Sequence, residues 1–512
     1  MPSIVTRKYR VKNAKEFVEA LSTAEGDNFY LFIGRSVPWS SSADTNFAAI
    51  STPSDTVKET TFDYWRDMIA LVRLTPNNVY QVAPRHDWAN AAIYNMYDHR
   101  SNTTVMYANA TSPFYVLNSN NEVFKCLYNG RYPDGNSTSI AEPSTEGLED
   151  VTKLVTTAGT PYSYTWKYLY KIDGDLVTKY LTPEYIPVKT VAGTLETNNT
   201  SPNFGDVYDD GSDQYTVFND ARFSNGAIYT VVVEEGGSGY SQGTQVTITG
   251  DGTGAQGVAV VDAGSIKQVN MVLRGSNYSY ANVTFVDGVG GGTGASAAAI
   301  ISPRNSFTNT TGTHYITNHG INIEHELSGS AVMVYSTLDS TGISGELPLA
   351  VSYRRVGIVR NPQLYGTSTI ATGDEYVQMW ELGISNTTGL FTTNELVFQD
   401  KGANGVAYGV VTESQATKVK LTHVYGTFVT GINISGIGNG NATGQIAGAT
   451  TVPATPEAFT PIVPASGSQA AVESVSAPDI TPFSGDILVV DHKAPVYRDP
   501  AQIETIRFVL SF

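Results

Sequence analysis

The sequence predicts a mainly β protein, α+β only in its N-terminal part, with a multi-domain β-sandwich-like core carrying two inserted small all-β modules. Three observations predict it. Charged residues make up 15% of the chain, well under the roughly 25% usual for soluble proteins. Gly, Thr, Ser, Asn and Tyr fill the gap, residues that favour strands and tight turns. Finally, a Gly/Tyr-rich unit in the middle of the chain recurs at an offset of about 40 residues, within the range of repeat modules.

Asn13 is placed to cap a short helix whose apolar face is Phe17, Val18 and Leu21. The run Phe29–Ile33 is too short for a helix and rich in β-formers, so it reads as a strand buried on both faces. Gly34 ends it, Arg35 follows, and Val37-Pro38-Trp39 forces an extended corner because proline restricts the residue before it. Trp39 is then set to cap the layer to which the strand belongs. From Thr56 to Arg73 the spacing of Phe62, Trp65, Met68 or Ile69, and Val72 predicts a second helix, with Pro76 just past its end. Strands are predicted over Val79–Val82, Phe114–Leu117 and Val123–Tyr128, the last two joined by an Asn-rich turn at Asn118–Asn121. Tyr164, Trp166, Tyr168 and Tyr170 share one parity, which on a strand puts four rings on one face.

Residues 222–303 hold two copies of one unit. Ile228–Val233, Gly237–Tyr240, Gln245–Thr249 and Gly252–Ala255 are answered by Ile266–Met271, Gly275–Tyr278, Asn282–Phe285 and Gly292–Ala295. This is the first expected insertion. Residues 304–365 return to core-like strands, at Ile321–Leu327, Val332–Tyr335 and Val351–Val359. A second β insertion is expected over 366–450, with strands at Glu395–Phe398, Gly405–Val411, Lys418–Val424 and Gly426–Val429. Residues 451–480 read as a Pro-rich linker, after the four prolines of Thr451–Ser468. Residues 481–512 are expected to complete the core begun by 1–221, with Ile506–Phe512 docked as a final strand.

The composition and the motifs exclude several chemistries. A net charge of −17 without any Lys/Arg block lacks the basic footprint that phosphates require, so no nucleic acid is expected. No apolar run approaches a membrane span and no secretory signal follows the basic Met1–Arg10, so folding in a cytosol is expected. The single cysteine, Cys126, lies among apolar neighbours and reads as a packed thiol. Gly252-x-Gly254-x-x-Gly257 matches a dinucleotide fingerprint but is followed by a strand instead of a helix, so it reads as turn chemistry. His314, His319 and His325, with Glu324 and Glu326, sketch a metal site without the spacing of structural ones. Asp209–Asp213 and Asp173-Gly174-Asp175 have calcium-loop flavour but lack the ligand ladder. No catalytic, cofactor-binding or metal-binding residue is therefore assigned. Arg35 and Arg85/His86-Asp87, each beside a tryptophan, read as loop-fixing groups.

Four stretches, in order, resemble the dimeric baseplate wedge subunit of T-even-like contractile-tailed phages. They are FIGRSVPWSS (Phe32–Ser41), Ala83–Trp88, Tyr164–Val188, and the tail Ser484–Phe512. The resemblance covers roughly 1–200, more faintly 304–365, and 480–512. It implies a structural homodimer in the virion tail baseplate, assembled in the host cytoplasm, that joins other wedge proteins and links them to tail-fibre or peripheral baseplate proteins. It further implies rearrangement on host contact and no enzymatic activity. Two alternatives are a host-glycan adhesin acting through exposed tyrosines of the repeats, such as Tyr240, Tyr278 and Tyr280, and, less favoured, a tail polysaccharide depolymerase.

Overall fold

The strand Phe29–Gly34 is buried at all six positions because it stands at the centre of a five-stranded sheet. In a computed structural model that describes residues 4–21, 26–39, 48, 50–56, 59–101, 106, 112–131, 135–148, 154–189, 226–302, 327–339, 352–387, 389–436, 469–497 and 503–512, strands occupy 51% of the described residues and helices 10%. The mainly β expectation holds. Contacts divide the chain into two compact units: Met1–Phe17 with Tyr80–Met333 and Val509–Phe512, and Val18–Val79 with Val334–Phe508.

In the second unit, Phe29–Gly34 pairs antiparallel with Met68–Arg73 on one side and Tyr353–Arg360 on the other. Glu375–Val377 extends the sheet beyond Met68–Arg73, and Asp486–Val496 extends it beyond Tyr353–Arg360. Segments hundreds of residues apart thus share one hydrogen-bond ladder, over a core of Tyr30, Phe32, Trp65, Met68, Leu71 and Val359. The helix predicted over Thr56–Arg73 is only half right. The helix is Glu59–Arg66, and Met68–Arg73 is a strand. Met68, Ile69 and Leu71 fit either period, and pairing on both sides buries all three, which a helix face could not do.

The same unit holds a closed barrel of Trp380–Ser385, Leu396–Asp400, Val406–Ser414, Lys418–Tyr425, Asn433–Gly436 and Gln469–Ser476. Its last strand falls inside the stretch 451–480 expected as a linker. Gln469–Ser476 pairs with Trp380–Ser385 and with Asn433–Gly436, and without it both would carry open edges. Residues 451–468 lie outside the described residues. Gly426–Val429 is not a strand either. Gly426 turns the chain at φ +73°, and Phe428 plugs the barrel core.

The first unit opens with the helix Arg7–Ala20, six residues earlier than an Asn13 cap would allow; it buries Val11 and Ala14 rather than Phe17, Val18 and Leu21. A four-stranded sheet follows, in the order Tyr115–Leu117, Glu122–Tyr128, Tyr164–Lys171, Val155–Thr157. The Asn-rich turn forms, with Asn121 at φ +60°. The four-ring stripe is interrupted. Val123 faces Tyr170 while Phe124 faces Tyr168, so a bulge at Leu169 shifts the register. Tyr164, Trp166 and Tyr168 stay in one core with Cys126, and Tyr170 joins another with Leu169 and Phe114. At the chain end Ile503–Ser511 is a strand with Ile506 and Phe508 inward.

The Gly/Tyr repeats build a second closed barrel, from Ile228–Ser238, Gln245–Gly250, Thr253–Asp262, Ser265–Ser276, Ala281–Val286 and Thr293–Ile301. Each repeat supplies three strands, and neither is closed alone. The first strand of each pairs with the third strand of the other: Ile228–Ser238 with Thr293–Ile301, and Ser265–Ser276 with Thr253–Asp262. The barrel therefore has approximate two-fold symmetry built on exchanged strands. Tyr229, Val232 and Ile300 join the core of the adjoining four-stranded sheet.

Candidate functional site

Arg35, one of two polar spots picked out by the sequence, lies in a buried cluster with Asp67, Arg354 and Arg355. The bulge where Phe29–Gly34 loses register turns Arg35 to φ +58° and lets its N–H donate to the Asp67 carbonyl at 2.8 Å. Gly34 eases the approach, since a Cβ would stand 3.0 Å from that carbonyl oxygen, tighter than ordinary contact. Asp67, wholly buried, takes an ion pair from Arg355. Arg354 donates to the Ser36 carbonyl at 2.6 Å. Arg35 lies 4.1 Å over the Trp39 ring and Arg355 4.4 Å over Tyr64. Trp39 in turn donates to the Lys493 carbonyl and sits 4.4 Å from the His492 ring, so it does cap the sheet.

Burial dominates the protonation of this cluster. It pushes Asp67 up to about 6 against the pull of Arg355 and Arg35, and draws Arg35 down to about 10. His492, donating from Nδ1 to the Ser51 carbonyl at 2.6 Å, is depressed to about 4, first by burial. His423 falls to about 3 through burial and the nearby Arg35, Arg355 and Arg66. Both histidines are thus neutral near pH 7. The cluster fastens N-terminal, central and C-terminal segments of one unit.

The other residues noted in the sequence also act locally. Arg85 pairs with Asp87 at 2.7 Å and donates to the Thr182 carbonyl at 3.0 Å, and His86 packs edge-on to Tyr115. Cys126 is buried, with its thiol pushed well up by desolvation. Asp173 starts the helix Gly174–Tyr180 and pairs with Lys189 at 2.7 Å. Gly252 and Gly254 form a turn into a strand. Asp209–Asp213, His314, His319 and His325 lie outside the described residues. Among the described residues no group of three or more His, Cys, Asp or Glu could hold a metal.

The repeat tyrosines are not an exposed platform. Tyr240 and Tyr278 are 8% and 2% exposed. Tyr240 covers Gly292 of the other repeat, where a Cβ would lie 2.2 Å from the ring, and Tyr278 covers Gly252 in the mirrored arrangement. Their hydroxyls accept from the Ala295 and Ala255 N–H groups, each at 3.3 Å. Only Tyr280 of the three is exposed. Tyr240 and Tyr278, expected as exposed rings for glycan, are instead plugs that join the two repeats.

Sequence reasoning missed Asp67 and Arg355. The signals were present: a lone carboxylate in Trp65–Ile69, and a pair of arginines in the otherwise apolar Tyr353–Val359. It also missed a cleft of about 290 Å³ in the second unit, walled by Arg66, Trp380, His423, Tyr425 and Phe483.

In this mainly β body, buried charges and rings tie distant segments of the chain together. Residues 3–141 match the family model described as Bacteriophage T4, Gp8. "Baseplate wedge protein gp8" of Enterobacteria phage T4 is 28% identical over 207 residues, which is 36% of this chain and 60% of that relative. Over that part of its length the chain is similar to a baseplate wedge subunit of a T4-like phage, and the match spans about 60% of the relative's length.

Proposed function

We propose that the chain is a structural, non-enzymatic component of a phage tail baseplate wedge, located in the virion. The observation that carries this is the agreement of the family match over 3–141 with the wedge-like segments read from the sequence, FIGRSVPWSS among them. The structure supports it through what those segments do. The FIGRSVPWSS strand centres the five-stranded sheet, and the wedge-like tail strand Asp486–Val496 forms one edge of that same sheet. The two barrels are insertions into this wedge body. The working unit is a homodimer that binds other wedge proteins, links them to peripheral baseplate or fibre proteins, and yields to rearrangement when the tail meets its host. Light scattering of the purified chain should give a dimer, and co-expression with the other wedge proteins of the same phage should give a co-purifying complex. A monomer with no affinity for any of them overturns the reading.

A further inference from the structure

The cleft of the second unit is built unlike a packing defect. Its floor is the barrel strand Lys418–Tyr425, and one wall is the end of the helix Glu59–Arg66. Arg66 lies 4.1 Å over the Tyr425 ring and donates to the Tyr425 hydroxyl at 2.8 Å. It has no carboxylate partner among the described residues, and no acidic side chain lines the cleft, although the protein as a whole carries a net charge of −17. Phe483 is held at φ +68° and is 46% exposed, with Phe62 edge-on to it at 4.7 Å. His423, also lining the cleft, is held at φ +51°. Strained non-glycine backbone of this kind concentrates at ligand sites. Gln378, a residue 5% exposed, lines the cleft, its amide donating to the Ile480 carbonyl at 3.1 Å and its carboxamide oxygen buried without a hydrogen-bond donor.

We propose that this cleft binds one acidic sugar residue, its carboxylate on Arg66 and its ring face on Phe483 and Trp380. A guanidinium without a carboxylate of its own suits a carboxylate ligand, the donors not given to Tyr425 remaining for it. The exposed Phe483 ring, with the half-buried Trp380 beside it, offers a flat apolar face to the C–H side of a pyranose. The volume, about 290 Å³, sits just under the roughly 300 Å³ at which usual ligand pockets begin, which suits one ring. An acidic peptide fits less well. The strand Lys418–Tyr425 is already paired on both sides, so an extended main chain finds no edge to add to. The inference stands apart from the wedge reading, because it concerns this unit alone.

The test is ligand-observed NMR on the full chain with sodium glucuronate, glucose and hexa-aspartate. Glucuronate should bind saturably, and glucose at least tenfold more weakly. Arg66→Gln removes a charge-assisted bond and should weaken glucuronate roughly tenfold. Phe483→Ala should weaken it several-fold, and Tyr280→Ala on the other barrel should leave it unchanged. If Arg66→Gln fails to fold, Phe483→Ala, at an exposed ring, carries the test. Absent saturation, equal affinity for glucose, or binding untouched by Phe483→Ala overturns the proposal. Displacement of glucuronate by a tighter hexa-aspartate overturns it too, in favour of a protein partner.

Discussion

Taken in chain order, the six strands of each barrel stand 1-4-3-2-5-6 around the closure, and every neighbouring pair is antiparallel. One barrel, residues 228–301, announces its repeat in the sequence. The other, residues 380–476, has the same topology with no visible repeat. The difference lies in how each is held shut. The first mixes Ile228, Val231, Val261, Ile266 and Ile301 with Ala259, Ala299 and partly buried Ala255, Ala281, Ala295 and Ala297, and adds two tyrosine plugs over two glycines. The second is filled by Leu382, Ile384, Phe391, Val397, Leu421, Phe428 and Ile434, and needs no such device. Its buried Gln399 ties the turn at 429–432, accepting from the Val429 N–H and donating to the Val429 and Ile432 carbonyls. A plug over glycine constrains sequence tightly, so the repeat stays legible. A greasy core tolerates many solutions of equal volume, so the symmetry is erased.

The comparison breaks most readily at Phe428. Phe428→Ala empties the middle of the second core and should cost roughly 3–5 kcal/mol, read as loss of hydrogen-exchange protection across 396–436 with the first barrel unaffected. Comparable loss in both barrels would mean that the two do not close independently.

The glycines come next. Gly252→Ala would set a Cβ 2.4 Å from the Tyr278 ring and 2.5 Å from the Ser276 carbonyl oxygen, whereas in Gly292→Ala the near atoms all belong to the Tyr240 ring. Overpacking of this kind costs about 1–3 kcal/mol. Gly252→Ala should be the worse of the two, because backbone cannot swing aside. Tyr240→Leu should relieve Gly292→Ala, and Tyr278→Leu should not relieve Gly252→Ala. Equal rescue at both sites would show that the plugs, not the backbone approach, set the limit.

Acid should weaken the second unit. His423 and His492 are neutral in the folded state, with values near 3 and 4, so the unfolded chain takes up protons first as pH falls below 6.5. Their contribution is whole above 6.5 and is lost toward 4. Asp67, raised to about 6, has the opposite sign: its contribution is present below 3.8 and lost as pH rises through 6. Two against one leaves about one proton net, so the second unit should weaken by roughly 1.4 kcal/mol per pH unit between about 6 and 4. His492→Phe should flatten that slope. A melting temperature that rises over this range would contradict the assignment.

Much of this was legible in the sequence, and the gaps have physical causes. Phe29–Ile33 has only one period that buries it, so its strand was readable. Met68–Arg73 fits two periods, and only the neighbours on either side decide. Tyr170 left its stripe because of a bulge at Leu169 that no local signal marks. Arg35 stood out by its position, but Asp67 and Arg355 come from 32 and 320 residues further along the chain, and their meeting is a property of the sheet. The cleft was invisible for the same reason: Arg66, Trp380 and Phe483 have no sequence relation.

The smallest effects should come from the outer carboxylate fastenings between the two repeats of the first barrel. Asp251 accepts from the Ser279 N–H at 2.7 Å, from the Ser279 hydroxyl and from the Tyr280 N–H; Asp287 accepts from the Ser241 N–H and hydroxyl and from the Gly291 and Gly292 N–H groups. Each joins one repeat to the other. The Ser279 hydroxyl, first among these donors, helps hold Asp251 down to about 2, and the Ser241 hydroxyl likewise depresses Asp287. Folded values below the unfolded one mean that this support is complete above about 4 and disappears as pH falls toward 2. Asp251→Asn and Asp287→Asn should therefore weaken the barrel slightly at neutral pH and flatten its response between pH 4 and 2. Asp287→Asn should have the greater effect, since it loses the additional glycine N–H donors that order the longer Gly288–Gly292 turn. Because the carboxylates are exposed, salt should shrink both effects. Acid titration of hydrogen exchange in 245–250 and 281–286 reads them directly. If neither variant alters that profile, the carboxylates decorate the barrel and the tyrosine plugs alone keep it closed.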